Sequence, residues 1–398
     1  MMPAASHHLR IGAQLDLFHL EDAAPGATYW HAAGTAIRLA LLENVRLLWR
    51  YTGYVEVATP LLSLLGRRHN EAEVARTSDE CLLAQMGDAQ LVLTRRPCQF
   101  HRQLFEHRTR SLHLLPLRYA ELASCHGRTA LADLCGLLRQ REYCADIGHI
   151  YCTPEQIDAE VEAFHEQCLT QLRALDLLEL KVQRGWCVPS YSIPGGGDPR
   201  WRFAQALRGL AADEDVGVRS ERASAQRLSY LASDRNGTPW RLGGIKIDGV
   251  SAPCGLAVLH RSTIGSIERC VALLIERYGA ALPAWLAPSQ VAVSSDDALA
   301  DARVRDAAAR LSAAGLRTRI ADAATMPWNA PGDDDGGKQA PFTVVIAANH
   351  VADRAEVAII RRGSAQVQRL PLPLACRVLS EMCAGPDASR RAGDGALE

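Results

Sequence analysis

The sequence predicts an α+β protein: an antiparallel sheet with flanking helices, followed from about Pro288 by a small α/β domain. Three observations predict it. PLRYAELASC (116–125) and REYCADIGHIYC (141–152) carry the apolar and alternating residues of strands, with a loop between them that brings the chain back antiparallel. Two long runs, GTAIRLALLENVRLLWRY (34–51) and residues 153–180, space their apolar side chains as amphipathic helices do. Beyond Ala287-Pro288 the chain alternates strand QVAVS, helix ALADARVRDAAARLSAAG and strand LRTRIAD, the βαβ order of a small sheet with helices on it.

Taken in order, residues 1–30 form an entry segment, and the helix over 34–51 leads into GYVEVATPLL, a strand ending at Pro60. Residues 69–87 are polar and carry no assigned element. Residues 91–94 form a short strand that enters RRPCQFH (95–101), and a helix starts near Gln99. Between the two long strands, TALADLCGLLRQ is too short and mixed for a helix. Thr153-Pro154-Glu155-Gln156 is a helix start: a Thr cap, Pro at the first helical position, acidic and amide groups in the first turn. Residues 183–236 hold PGGGDPRW, another helix and a polar loop. WRLGGIKIDGV (240–250) is strand-like, and 265–278 is an apolar helix. After the βαβ unit come strands FTVVIAA and EVAIIRR and a closing helix. MPWNAPGDDDGGKQAP reads as a loop from its Gly, Pro and Asp content. PDASRRAGDGALE reads as a disordered tail, which gives boundaries at 1–287, 288–385 and 386–398.

The 398 residues suffice for two or three domains with their own cores. Lys plus Arg is 44 and Asp plus Glu is 45, a balance that announces neither a nucleic-acid binder, DNA included, nor an acid-loving surface, and leaves room only for a local basic patch on RNA. Twelve cysteines form no CxxC pair, MMPAASHHLRIGAQ lacks the apolar core of a signal peptide, and no apolar run reaches spanning length. The expectation is reduced thiols in a cytoplasmic protein without a membrane segment.

PLRYAELASCH and GHIYCTPEQI resemble the second signature motif of the threonyl-tRNA synthetase family, which belongs to the class II aminoacyl-tRNA synthetases. LDLFHLEDAAPGATYWH, GYVEVATPLL and LHRSTIGSIERCVALLIERYGAALPAWLAP follow in that family's order, and the likeness covers nearly the whole chain, more loosely over 160–240. The resemblance implies a class II core, a homodimer interface formed by the helix, strand and proline of 34–62, and an anticodon-binding-like domain after Pro288. The likeness starts at the catalytic core, so the family's editing and small N-terminal domains are expected to be missing. It also implies a catalytic zinc ion, Zn2+, on one Cys and two His, which fall on Cys98, His149 and His260. Three protein ligands leave open positions on a tetrahedral ion. In the family these take the amino group and β-hydroxyl of threonine.

Around that triad the family pattern is altered. Gln-Asp-Asp-Ala before the second ligand is here Ala145, Asp146, Ile147 and Gly148, so Ile147 stands where a carboxylate meets the substrate hydroxyl. Cys-Gly-Thr-Ile-Gln is Leu242-Gly243-Gly244-Ile245-Lys246. Asp146, Lys246 and Ser266 are the expected substrate-binding residues. For ATP and Mg2+, the third-motif arginine is Arg269, Tyr143 is the aromatic that stacks adenine, and Arg139 and Arg141 lie nearby. The second-motif Arg-x-Glu reads Gly127-Arg128-Thr129. Arg128 could serve the nucleotide after a one-residue slip, although neighbouring side chains in a strand point to opposite faces. Losing one preorganised donor costs roughly two to three powers of ten in rate.

Three functions follow from this pattern. The first is an amino-acid-binding protein of this family with adenylation altered or lost. The second is an active stand-alone ligase charging tRNA or a carrier protein. The third and least favoured is a housekeeping threonyl-tRNA synthetase.

Overall fold

We describe the protein from a computed structural model, over residues 7–65, 81–108, 111–177, 183–187, 199–210, 227–247, 255–295, 301–321, 340–346, 356–364 and 366–386. These fall into two compact units. One takes residues from 1–19, 29–44 and 275–387, the other from 20–28 and 45–274.

A seven-stranded sheet forms the larger unit, in the order 55–56, 117–126, 142–152, 257–262, 239–247, 227–233, 183–187. Every pairing is antiparallel except the first, between Val55–Glu56 and Leu117–His126. Leu117–His126 and Glu142–Cys152 pair along their whole length, from Leu117 opposite Tyr151 to His126 opposite Glu142. The intervening loop holds only a 3-10 turn over Leu131–Asp133 and a bridge between Cys135 and Arg139, in line with its mixed composition. The helix start is as the sequence predicts. Gln156 accepts the Thr153 N–H at 3.0 Å, Pro154–Gln156 is a 3-10 turn, and the helix Ile157–Ala174 follows.

Two strands of this sheet were not expected. Arg227–Ser233 lies in a stretch read as a polar loop, yet Leu228, Ser229, Tyr230 and Ala232 are buried; a bulge after Tyr230 breaks the alternation that would have revealed it. Gln183–Cys187 is the edge strand beyond it. A side sheet joins Leu62–Leu64, Ala89–Leu93 and Leu83–Met86; the last falls where no element was assigned.

The smaller unit carries a five-stranded sheet in the order 318–320, 291–295, 342–346, 356–361, 367–371. Its first three strands are parallel and the others antiparallel. Val291, Val293, Phe342, Val344 and Val357 pack with Val304, Ala307 and Leu311 of the helix Asp301–Ala313 and with Ala375 and Leu379 of Leu372–Met382. The βαβ reading is the one observed, with Val367–Pro371 as an added edge strand. The expected loop over 326–341 and the expected tail over 386–398 lie largely outside the described residues. Among the described residues no helix is long and apolar enough to cross a membrane.

Candidate active site

The larger sheet and the loops beside it enclose a cavity of about 450 Å3. Cys98 and His260 line it, and their ligand atoms and that of His149 all lie within 4.8 Å of one another. Each comes from a different element. Cys98 opens the helix Cys98–Glu106, and His149 and His260 are directly paired residues on neighbouring strands, so both imidazoles share one face. His149 Nε2 lies 2.8 Å from His260 Nδ1. Behind it, His149 Nδ1 meets His101 Nδ1 at 2.8 Å, and His101 Nε2 meets Glu121 Oε2 at 3.0 Å. Glu121 in turn accepts from the Thr59 backbone N–H and hydroxyl, each at 2.8 Å.

Burial pushes the Cys98 thiol up, but His260, Arg96 and Lys246 outweigh it and bring its pKa below the ordinary thiol value. Burial and the neighbouring imidazoles hold His149 well below the usual imidazole range, hence neutral near pH 7. A thiol inclined to ionise and a neutral imidazole are the protonation states a divalent metal requires. A buried imidazole and carboxylate behind one ligand give that ring the backing that metal-bound histidines ordinarily have. The donor set therefore suits a zinc ion with open positions, facing the cavity through Cys98 and His260.

The other expected residues divide. Tyr143, Arg139, Arg128, Arg269, Lys246 and Ser266 all line the cavity, as do Gly127, Thr129 and Ile147. Arg269 is held by the Leu138 and Arg241 carbonyls, each at 2.8 Å. Arg139 and Arg269 both approach the Trp240 ring, at 5.8 and 5.6 Å from its centre. Arg128 reaches the cavity because the strand ends at His126, so the alternation argued against it does not extend to position 128.

Arg141 and Asp146 are not brought to the cavity. Arg141 donates to the Thr129 carbonyl at 2.8 Å, while its own carbonyl accepts from Gly127 N at 2.8 Å. It is a staple for the loop that carries Arg128. Asp146 is fully buried, paired with Arg261 at 2.6 Å and bonded to the Thr263 backbone at 2.6 Å. It alternates with Ala145 and Ile147, which take the cavity face. Gly148 belongs to the same arrangement, since a Cβ there would stand 2.5 Å from Arg261 Nε. Asp146→Asn leaves the buried Arg261 without its counter-ion and should cost about 3–5 kcal/mol in urea unfolding; a loss below about 1 kcal/mol contradicts the pairing.

Sequence reasoning missed Arg95, Arg96, Arg227 and Arg241, all cavity-lining, and the His101–Glu121 support. The RRPC doublet beside Cys98 was a visible signal. Arg227 and Arg241 were not readable, because their strands were misread or bulged.

Residues 82–278 match the class II tRNA synthetase core domain (G, H, P, S and T). The chain has a class II tRNA synthetase core. It is similar to the threonine–tRNA ligase of Rhodospirillum rubrum, at 30% identity over 96% of this chain and 61% of that protein. It is also similar to that of Stenotrophomonas maltophilia, at 32% identity over 78% of this chain and 51% of that protein. The chain thus spans between half and three-fifths of the length of these curated relatives. Two solved structures share the fold of this class II core. The RNA binding domain of threonyl-tRNA synthetase from Cryptosporidium parvum matches with a TM-score of 0.85 at 22% identity, covering 96% of this chain and 99% of that one. A prolyl-tRNA synthetase from the same organism, complexed with L-proline and AMP, matches with a TM-score of 0.65 at 14% identity, covering 96% and 76%.

Proposed function

We propose that this class II core binds an amino acid through a zinc ion on Cys98, His149 and His260, with ATP-dependent adenylation weakened or redirected relative to the threonine ligases. The observation that carries this reading is a Cys98–His149–His260 cluster that reaches the cavity through Cys98 and His260, with Gly127, Thr129 and Ile147 lining the same cavity. Zinc, when bound, supplies a Lewis acid for an amine. Arg269 and Arg128 supply positive charge for a nucleotide's phosphates, with Tyr143 beside them.

Thr129 lacks the carboxylate that would position a nucleotide or an ammonium, and Ile147 lacks the acceptor for a substrate hydroxyl. Calorimetric titration of zinc-loaded and zinc-stripped protein with amino acids tests the reading. Binding should require the metal, and equal binding without it overturns the proposal.

An active ligase charging tRNA or a carrier protein is the second reading, favoured by Arg128 lining the cavity. The partners on either reading are an amino acid and, for the second, an acceptor with a free hydroxyl or thiol.

We further propose a homodimer built on the segment that ends the 34–62 stretch. Tyr51, Val55, Leu61 and Leu62 are each about half exposed, at 56, 52, 50 and 49%, an unusual density of apolar surface for one short segment. Leu61→Asp combined with Leu62→Asp should yield a monomer in sedimentation. A wild-type monomer at micromolar concentration removes the claim.

A further inference from the structure

Arg139 and Arg269 reach the cavity wall from different elements. Arg269 comes from the helix Ile267–Tyr278, and Arg139 from the loop between the two long strands. Their charges repel: burial first, and after it Arg139 and Arg96, hold Arg269 below the ordinary guanidinium value. One indole offsets that repulsion. The two guanidiniums lie 5.8 and 5.6 Å from the centre of the Trp240 ring, within reach of cation–π attraction. Arg269 has further anchors in the Leu138 and Arg241 carbonyls. For the Arg139 guanidinium the indole is the one partner found among the described residues.

Trp240 is itself aimed. It stands half-buried near the start of the strand Pro239–Ile247, and its indole N–H donates to Asp234 Oδ2 at 2.9 Å. The other oxygen of that carboxylate accepts the backbone N–H groups of Asn236 and Thr238, each at 2.9 Å. Gly237, at φ +79°, completes the turn in the left-handed region that glycine tolerates. One carboxylate thus folds the turn with one oxygen and orients the ring with the other. Trp240 is not itself among the cavity-lining residues, so it acts on a ligand only through the two arginines. An arginine already held by a ring has less rotamer freedom to lose when it meets an anion.

We propose that Trp240, oriented by Asp234, is a positioning residue that pairs Arg139 with Arg269 for the phosphates of a bound nucleotide. The proposal rests on the nucleotide-binding reading above and adds to it the group that arranges the cations. Losing both ring contacts should weaken nucleotide binding roughly five- to thirtyfold.

The test is calorimetric titration of the full chain with ATP and Mg2+, with thermal unfolding as the check on the fold. Trp240→Leu removes the π face and should show that loss, whereas Trp240→Phe restores a π face and should recover most of it. The loss should shrink in an Arg139→Met background, because the ring then has one guanidinium fewer to hold. A merely structural role for Trp240 would leave the loss the same in both backgrounds. Should Trp240→Leu not fold, Asp234→Ala carries the test: it releases the indole and should weaken ATP binding in the same direction. ATP binding within about twofold of wild type in the variant that carries the test overturns the proposal, as does a loss from Trp240→Leu that is indifferent to Arg139. Both results leave the nucleotide-binding reading standing. Failure of the wild type to bind ATP overturns that reading and the proposal with it.

Discussion

Cys98→Ser is expected to strip most of the zinc from a protein expected to carry one ion per chain on the proposed site. A hydroxyl is a far poorer ligand than a thiolate, and Cys98 is the only sulfur in the set. Zinc bound by a folded peptide site is worth about 10–16 kcal/mol at neutral pH. Sharing that over three ligands puts the loss at several kcal/mol, or at least about two powers of ten in affinity. The supporting residues should show a smaller, graded effect: His101→Ala or Glu121→Gln loosens the ring behind His149 and should weaken metal binding about 10–100-fold. Metal analysis after dialysis against a graded chelator series reads both. Full zinc retention by Cys98→Ser, or the absence of zinc from the wild type, removes the site assignment.

Threonine-dependent pyrophosphate exchange by the unmodified protein should be weak or absent. Gly127 and Thr129 stand where the family has a charged donor and a carboxylate, and losing the donor alone costs roughly two to three powers of ten. Arg128 offers partial relief, because it lines the same cavity from one residue along. Restoration is sterically feasible at the first position: a Cβ at Gly127 meets nothing within 4 Å. Gly127→Arg alone should therefore raise exchange modestly. Combined with Thr129→Glu and Ile147→Asp it should raise exchange by more than the product of the single effects, because groups that act on one substrate do not contribute independently. Robust threonine-dependent exchange by the wild type would sink this expectation. Exchange driven by another amino acid would instead place the altered wall in the service of a different substrate.

Much of the fold was legible because the patterns that specify it are local. The two long strands announce themselves by composition, and the helix after Thr153 by its cap and proline. The helix of 34–51 shows itself by spacing, with Ile37, Leu41, Val45 and Leu48 all buried. The ligand triad was legible only through motif likeness, since its members lie far apart in the chain and no local rule links them.

What the sequence alone determined, then, is the class of fold, the order of its elements, and the residue types available at the metal end. Only the tertiary structure decided which side chains share a wall. Ending the strand at His126 freed Arg128 from alternation and let it reach the cavity. Alternation within Glu142–Cys152 turned Asp146 into the partner of Arg261 and left Ile147 facing the cavity. Pairing His260 with His149 on one side and Lys246 on the other gathered two of the candidate metal ligands and a cation onto one face. Register between distant strands set these neighbours, and register is a property of the assembled sheet that no single strand carries in its own sequence.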